Sequence, residues 1–237
     1  MNFDELWPGG PRFRQAENSF RLSTDSVLLA HFAAGVRAKT VLDLGCGAGV
    51  LTVLLHVSHP DAQISGIEIQ PASAALCREN LAENGFDADG ILTGDLREYR
   101  GLFPAGAWDL TISNPPYFAA DSGYTAPRES RATARDERTC TLEDLCAAAA
   151  YLTRWGGSFC MVHRPERLSE IFCTLSAHGL EPKRLRTVQH RESGAPNLVL
   201  VEARRGGKPG LTIETPLILT ASGGGDSEEV KAIYHRG

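Results

Sequence analysis

The segment TISNPPYF, Thr111 to Phe118, sets an Asn, two prolines and an aromatic pair directly after an apolar run. Neither proline has an N–H to give to a strand ladder, so a strand that arrives here must stop at Asn114. Beyond it the chain makes a stiff loop with two acceptors side by side, the Asn114 amide oxygen and the Pro115 carbonyl, the flanking rings holding the backbone still. Such a pair suits an amino group whose lone pair is delocalised into a ring or a carbonyl. Accepting both N–H hydrogens favours a pyramidal nitrogen and turns its lone pair toward an electrophile. Tyr117 adds a π-face on which a planar substrate can stack. Asn114, Pro115, Pro116 and Tyr117 are the expected catalytic residues.

The electrophile is suggested by a second stretch, DLGCGAG, 43–49, between an apolar strand-like run and a helix-like one. Open α/β sheets bind ligands at such strand–helix turns, where glycines let the backbone come close. Position 50 is Val and the third glycine is Gly49, so the pattern is GxGxG and not the GxGxxG of dinucleotide binders. With Asp43 two residues ahead of Gly45, it resembles the first motif of S-adenosylmethionine-dependent methyltransferases. Glu68, roughly 20 residues on, ends a strand-like GIEIQ, where an acid accepts hydrogen bonds from ribose hydroxyls. Asp95 lies further along in TGDLRE. The resemblance implies that Asp43 fixes the cationic methionine end of the cofactor. It also implies that Gly45, Cys46, Gly47 and Gly49 pack under the cofactor, with Glu68 and Ile69 at its ribose, Asp95 and Leu96 at its adenine, and Asn114 near its methyl group. The sulfonium already activates that methyl, so positioning does most of the work and no general base is needed before attack.

Asn-Pro-Pro-Tyr is shared by methyltransferases acting on adenine N6, guanine N2 and glutamine side chains, so the flanks must choose. RFRQAENSFRLSTDSVLLAHFA before the glycine loop, ARDE at 134–137, and VEARRGGKPGLTIETPLIL near the C-terminus resemble the bacterial tRNA adenine-N6 methyltransferases that modify an anticodon-loop adenine of a valine tRNA. That resemblance implies a tRNA substrate and puts Thr24 and Asp25 at the edge of the cofactor pocket. An unpaired anticodon-loop base costs little to extrude. Phosphate contacts are expected from Arg128, Arg131, Arg135 and Arg138, just after the catalytic motif, and from Lys183 and Arg184 in KRLR. RRGGK at 204–208 is a third basic stretch. The alternatives are a glutamine-N5 protein methyltransferase, disfavoured by the 42 residues ahead of Asp43, and a guanine-N2 ribosomal RNA methyltransferase, for whose customary extra domain the length leaves no room. A DNA adenine methyltransferase would more often carry Asp at position 114 and a recognition insertion. A cofactor-binding partner subunit without catalysis would have no physical reason to keep Asn114 and its prolines.

These residues need a scaffold that brings several strand ends to one edge. Apolar runs at 40–45, 62–69, 90–96, 108–113 and 156–163 alternate with helical patterns at 50–58, 71–85, 141–154 and 164–179, and two strands close the series. The expected fold is α/β, a seven-stranded, mostly parallel, doubly wound Rossmann-like sheet of the class I methyltransferase type with a short N-terminal extension. One domain is expected over 1–237, with the extension at 1–39, the core at 40–205 and a C-terminal strand and tail at 206–237, the end of the tail loose or lightly docked. Hydrophobic content of 42% and charged content of 22% suit a soluble globular chain, and a formal charge of −5 leaves nucleic-acid contact to local patches. Six scattered cysteines without a CxxC pair or a nearby His cluster argue against a zinc site and a disulfide framework. Neither a signal layout nor a run near the roughly 18 apolar residues of a membrane span is present. The expectation is a cytoplasmic protein with no metal, no membrane contact and no stable protein partner.

Overall fold

The computed structural model describes residues 3–14, 24–115 and 140–236. Seven strands form the body of its sheet: β3 (Thr40–Leu44), β4 (Gln63–Glu68), β5 (Ile91–Thr93), β6 (Trp108–Ser113), β7 (Thr153–His163), β8 (Leu180–Gln189) and β9 (Pro196–Arg205), preceded by a short hairpin of β1 (Asp4–Glu5) and β2 (Arg12–Phe13). Two short strands, β10 (Thr212–Ile213) and β11 (Leu217–Ile218), extend the β8 edge in parallel. The order is β10-β8-β9-β7-β6-β3-β4-β5, with β11 beside β8. Strands β3 through β7 pair in parallel, and β9 runs antiparallel to both of its neighbours. The chain thus makes the mostly parallel, doubly wound sheet that the alternation of patterns implies.

Parallel strands covered on both faces must be apolar at nearly every position. Val41, Leu110, Ile112, Cys160 and Val162 point to one face, where they meet α1 (Thr24–Ala33), α2 (Val50–Ser58) and α3 (Pro71–Glu83). Leu42, Leu44, Phe159 and Met161 point to the other, against α4 (Tyr99–Leu102), α5 (Leu142–Leu152) and α6 (Leu168–Ala177). Adjacent residues serving opposite cores is the period of two that a strand imposes. Local chemistry sets the helix ends. Pro71 opens α3, and the Thr141–Asp144 capping box opens α5.

The C-terminal segment, expected to end in a loose or lightly docked tail, docks through a short helix. Ser227 caps α7 (Glu228–Ile233), whose Val230 and Ile233 join Tyr234 in the core beneath α1. Arg186 of β8 pairs with Glu229 at 2.7 Å. The N-terminal hairpin is also tied down: Asn84, at the end of α3, accepts from the Arg12 N–H at 2.9 Å and donates to its carbonyl at 2.7 Å.

The strand order reverses between β3 and β6, whose registers put Asp43 beside Ile112. A crevice opens at such a switch point on the carboxyl edge of the sheet. The glycine loop leaves β3 there, and Asn114 leaves β6.

Candidate active site

Two sets of bonds fasten the strand ends to each other. Ser113 donates its hydroxyl to the Leu44 carbonyl at 2.7 Å, and the Gly45 and Cys46 N–H groups both reach the Ile67 carbonyl, at 2.9 and 3.0 Å. The glycine motif, the end of β4 and the Asn-Pro motif therefore share one rigid rim.

Gly45, Gly47 and Gly49 all take positive φ, +81°, +53° and +86°. Side chains at 45 and 47 would meet open space, which leaves that surface for a ligand, whereas a Cβ on Gly49 would lie 2.6 Å from Cys77 Sγ on α3. The first two glycines face the crevice and the third lets the loop close onto a helix. Cys46 is buried, and a Cβ on Gly66 would sit 3.0 Å from its Sγ, so this cysteine packs the loop onto β4. Asn80 of α3, also buried, donates to the Ala48 carbonyl at 2.9 Å and accepts from the Arg14 N–H at 2.8 Å, bracing the loop from below.

Asp43 is 1% exposed. Its Oδ2 accepts from the Thr52 hydroxyl at 2.8 Å, while Oδ1 has no hydrogen-bond partner among the described residues. Burial pushes its pKa up to about 7, with the Thr52 bond opposing the rise and the nearby Glu68 charge adding to it. A buried, unsatisfied carboxylate oxygen at a ligand crevice is a place for a cation. It fits the ammonium of the S-adenosylmethionine expected from the sequence.

Glu68 is buried, and each carboxylate oxygen takes one backbone N–H: Oε2 from Gly47 at 2.9 Å and Oε1 from Gln70 at 2.8 Å. Each oxygen has a further lone pair, so the carboxylate can still accept from two hydroxyls. Beside it Ile69 is 42% exposed, an apolar face at a strand end that a flat ring would cover. Asp95 and Leu96 begin a short turn after β5. There the Asp95 carboxylate accepts from the Arg97 N–H at 2.9 Å and grips its guanidinium, and these Arg97 bonds lower its pKa.

Asn114 donates from Nδ2 to the Ser26 hydroxyl at 2.9 Å. This contact brings the first turn of α1, with Thr24 and Asp25, to the rim beside the Asn-Pro motif. Sequence reasoning did not single out Ser26, Thr52, Ser113 or Asn80. Thr52 is a lone polar residue in an apolar helical run, and that mismatch was the available signal; Ser26, Ser113 and Asn80 have polar neighbours in sequence and carry no such mark.

Pro116, Tyr117, Arg128, Arg131, Arg135 and Arg138 lie outside the described residues. Lys183 and Arg184 are not at the rim. They occupy the first half of β8, which runs in the direction of β6, so they lie toward the opposite edge. Arg184 bridges Glu202 and Glu214 at 2.7 Å each and covers the Phe32 ring at 4.3 Å. Lys183 donates to the Lys208 carbonyl at 3.0 Å. The KRLR run is basic along the chain, but acids on neighbouring elements, Glu202 and Glu214 at Arg184 and Glu229 of α7 at Arg186, take up its arginines. Among the described residues no group of three or more His, Cys, Asp or Glu side chains could hold a metal ion.

The geometry agrees with what the chain resembles. A family model described as Methyltransferase small domain matches residues 22–167. A Porphyromonas gingivalis protein named tRNA1(Val) (adenine(37)-N6)-methyltransferase is 34% identical over 196 residues, 78% of this chain and 75% of that one. An Aeromonas hydrophila protein of the same name is 30% identical over 190 residues, 79% and 78% of the two chains. Among solved structures, an Agrobacterium tumefaciens protein named as a predicted O-methyltransferase superposes with TM-score 0.70 at 21% identity, covering 90% of this chain and 97% of that one. A Thermus thermophilus 16S rRNA N2 guanine methyltransferase, crystallised with AdoMet and guanosine, superposes with TM-score 0.58 at 21% identity over 86% and 50%. At those identities the solved structures speak for the fold, while the family model and the two sequence relatives speak for descent, and by descent this chain is a methyltransferase of the small-domain family, in the group of the tRNA adenine-N6 enzymes.

Proposed function

We propose that this chain methylates the exocyclic N6 amine of an unpaired adenine in a tRNA anticodon loop, with S-adenosylmethionine as donor. The observation that carries the reading is the adjacency of Asn114 to the glycine loop, on strands β6 and β3 that pair directly at the carboxyl edge. When bound, S-adenosylmethionine supplies a methyl group activated by a positive sulfur.

The chain's own residues then have distinct tasks. The Asp43 carboxylate offers its unsatisfied oxygen to the donor's ammonium, and Glu68 offers its remaining lone pairs to the ribose hydroxyls. Gly45 and Gly47 leave room for close approach, with Ile69, Asp95 and Leu96 flanking the donor's adenine. Asn114 Oδ1 and the Pro115 carbonyl accept the two N–H hydrogens of the target amine, which localises its lone pair. Pro116 keeps that backbone stiff, and Tyr117 stacks on the extruded base. Thr24 and Asp25 close the donor's side of the pocket. The surplus proton of the product leaves to water, so no side-chain base is needed.

Arg128, Arg131, Arg135 and Arg138 are the phosphate contacts in this reading. tRNA and cofactor suffice, with no metal and no protein partner, and the cytoplasm is where such a substrate resides. The adenine-N6 names of the relatives favour this substrate over a guanine or a protein glutamine.

The test is transfer of tritiated methyl from S-adenosylmethionine to total bacterial tRNA, with nucleoside mass spectrometry of the product. N6-methyladenosine is expected. Asn114→Ala should lower the rate by about 10²-fold, the scale of losing one preorganised polar group at a reacting centre, while donor binding by calorimetry is retained. Label in ribosomal RNA or in protein glutamine, and none in tRNA, would refute the substrate.

A further inference from the structure

A carboxamide can present either end to a ligand, and only one end suits an amine. If Nδ2 of Asn114 faced the target amino group, two donors would oppose each other. The amide must therefore be held with its oxygen toward the substrate. In this structure its nitrogen is already engaged, by the Ser26 hydroxyl at 2.9 Å, across 88 residues of sequence.

Ser26 is well placed to anchor that amide. It is 6% exposed and sits in the first turn of α1, with Val27, Leu28 and Leu29 after it, all in the core. Further along, Phe32 is buried under the Arg184 guanidinium. Tyr234, after α7, is buried in the same core as Val27 and Leu28. Helix α1 is thus pinned along its buried side, and a hydroxyl on it is a fixed point.

We propose that Ser26 is a positioning residue for methyl transfer: its hydroxyl anchors the Nδ2 end of the Asn114 amide and so holds the Oδ1 end for the substrate amine. This rests on the adenine-N6 reading only for the identity of the amine. No bond to substrate is made by Ser26 itself. Its effect should fall on the step in which the nitrogen lone pair is exposed, and not on donor or RNA binding.

The experiment compares wild type, Ser26→Ala and Ser26→Thr by steady-state methylation, donor affinity by calorimetry and thermal melting. Alanine is at least as good a helix former as serine, so the fold tolerates the change. Ser26→Ala should lower kcat about five- to tenfold, the worth of one net hydrogen bond, with the donor Kd and the RNA KM within about twofold of wild type. Ser26→Thr, which restores a hydroxyl, should recover most of kcat. An unchanged kcat in Ser26→Ala overturns the inference. So does a loss carried by Kd or KM, or a Thr variant that melts like wild type yet stays slow. If the wild type labels another amine and not tRNA, with the same loss in Ser26→Ala, the substrate reading falls and the role of Ser26 stands. A wild type inactive on every acceptor overturns both.

Discussion

In the proposed role, meeting the donor's ammonium, Asp43 joins the cofactor's charge to the protein's stability. Its carboxyl is buried with one oxygen unsatisfied, and burial raises its pKa to about 7 from an ordinary value of 3.8. A folded-state pKa above the unfolded one means that the native protein holds this proton more tightly than the unfolded chain. The stabilising effect of the proton is fully present below the unfolded pKa and is lost as pH rises through about 7. Above that, the empty protein carries an uncompensated buried charge. A bound ammonium compensates it, so donor binding below pH 7 must first expel a proton. The donor Kd should therefore weaken by about tenfold per pH unit as pH falls from 7 toward 5.5, and level off above 7. Calorimetry across that range reads the slope. Asp43→Asn should abolish the slope and weaken binding, and it should raise the melting temperature of the empty protein at pH 8. A pH-independent wild-type Kd would show that Asp43 does not meet the ammonium.

At the scale of elements, α7 does more than end the chain. Val230, Ile233 and Tyr234 complete the core beneath α1, and Trp7 of the N-terminal segment packs against the His235 ring at 4.6 Å. The two ends of the chain thus brace the helix that carries Ser26. Tyr234→Ala should cost about 3 kcal/mol in urea unfolding, the scale of removing a buried aromatic side chain. Tyr234→Phe, which keeps the buried ring, should unfold close to wild type. A Tyr234→Ala protein as stable as wild type would mean that this tail is ornamental. The sequence leaves the tail either loose or lightly docked, because three apolar residues in a six-residue helix after a glycine run are too few to show a period. The central strands were legible for the opposite reason: burial on both faces leaves an unbroken apolar run, and glycines punctuate it. The site divided in the same way. Asp43, Glu68 and Asn114 stand at strand ends and advertise themselves. Ser26 and Thr52 act through partners on other elements, and the acids that pair with the arginines of KRLR lie far along the chain, where charge summed over a short run leaves them out.

At the scale of the whole molecule, the formal charge of −5 offers an RNA no attractive field. Several described arginines are also occupied: Arg12, Arg14, Arg154, Arg184 and Arg186 all sit in ion pairs. In the proposed reading phosphate recognition falls mainly to the stretch after the Asn-Pro motif, whose four arginines at 128, 131, 135 and 138 stand in sequence among Glu129, Asp136 and Glu137. Each phosphate neutralised on a single-stranded loop contributes about −0.7 to the slope of log K against log salt. Four contacts give a slope of about −3, shallow beside strongly basic nucleic-acid binders. Replacing all four arginines by alanine should flatten the slope to near zero and raise the tRNA KM more than tenfold, while the donor Kd, set by residues that precede them in the chain, holds. Filter binding across a salt series from about 50 to about 300 mM distinguishes the cases. A slope that survives the substitutions would move the RNA path to the basic groups along the β8 edge, with Lys183 and Lys208 the first to replace. The anticodon loop would then have to span from that edge to the rim where Asn114 waits.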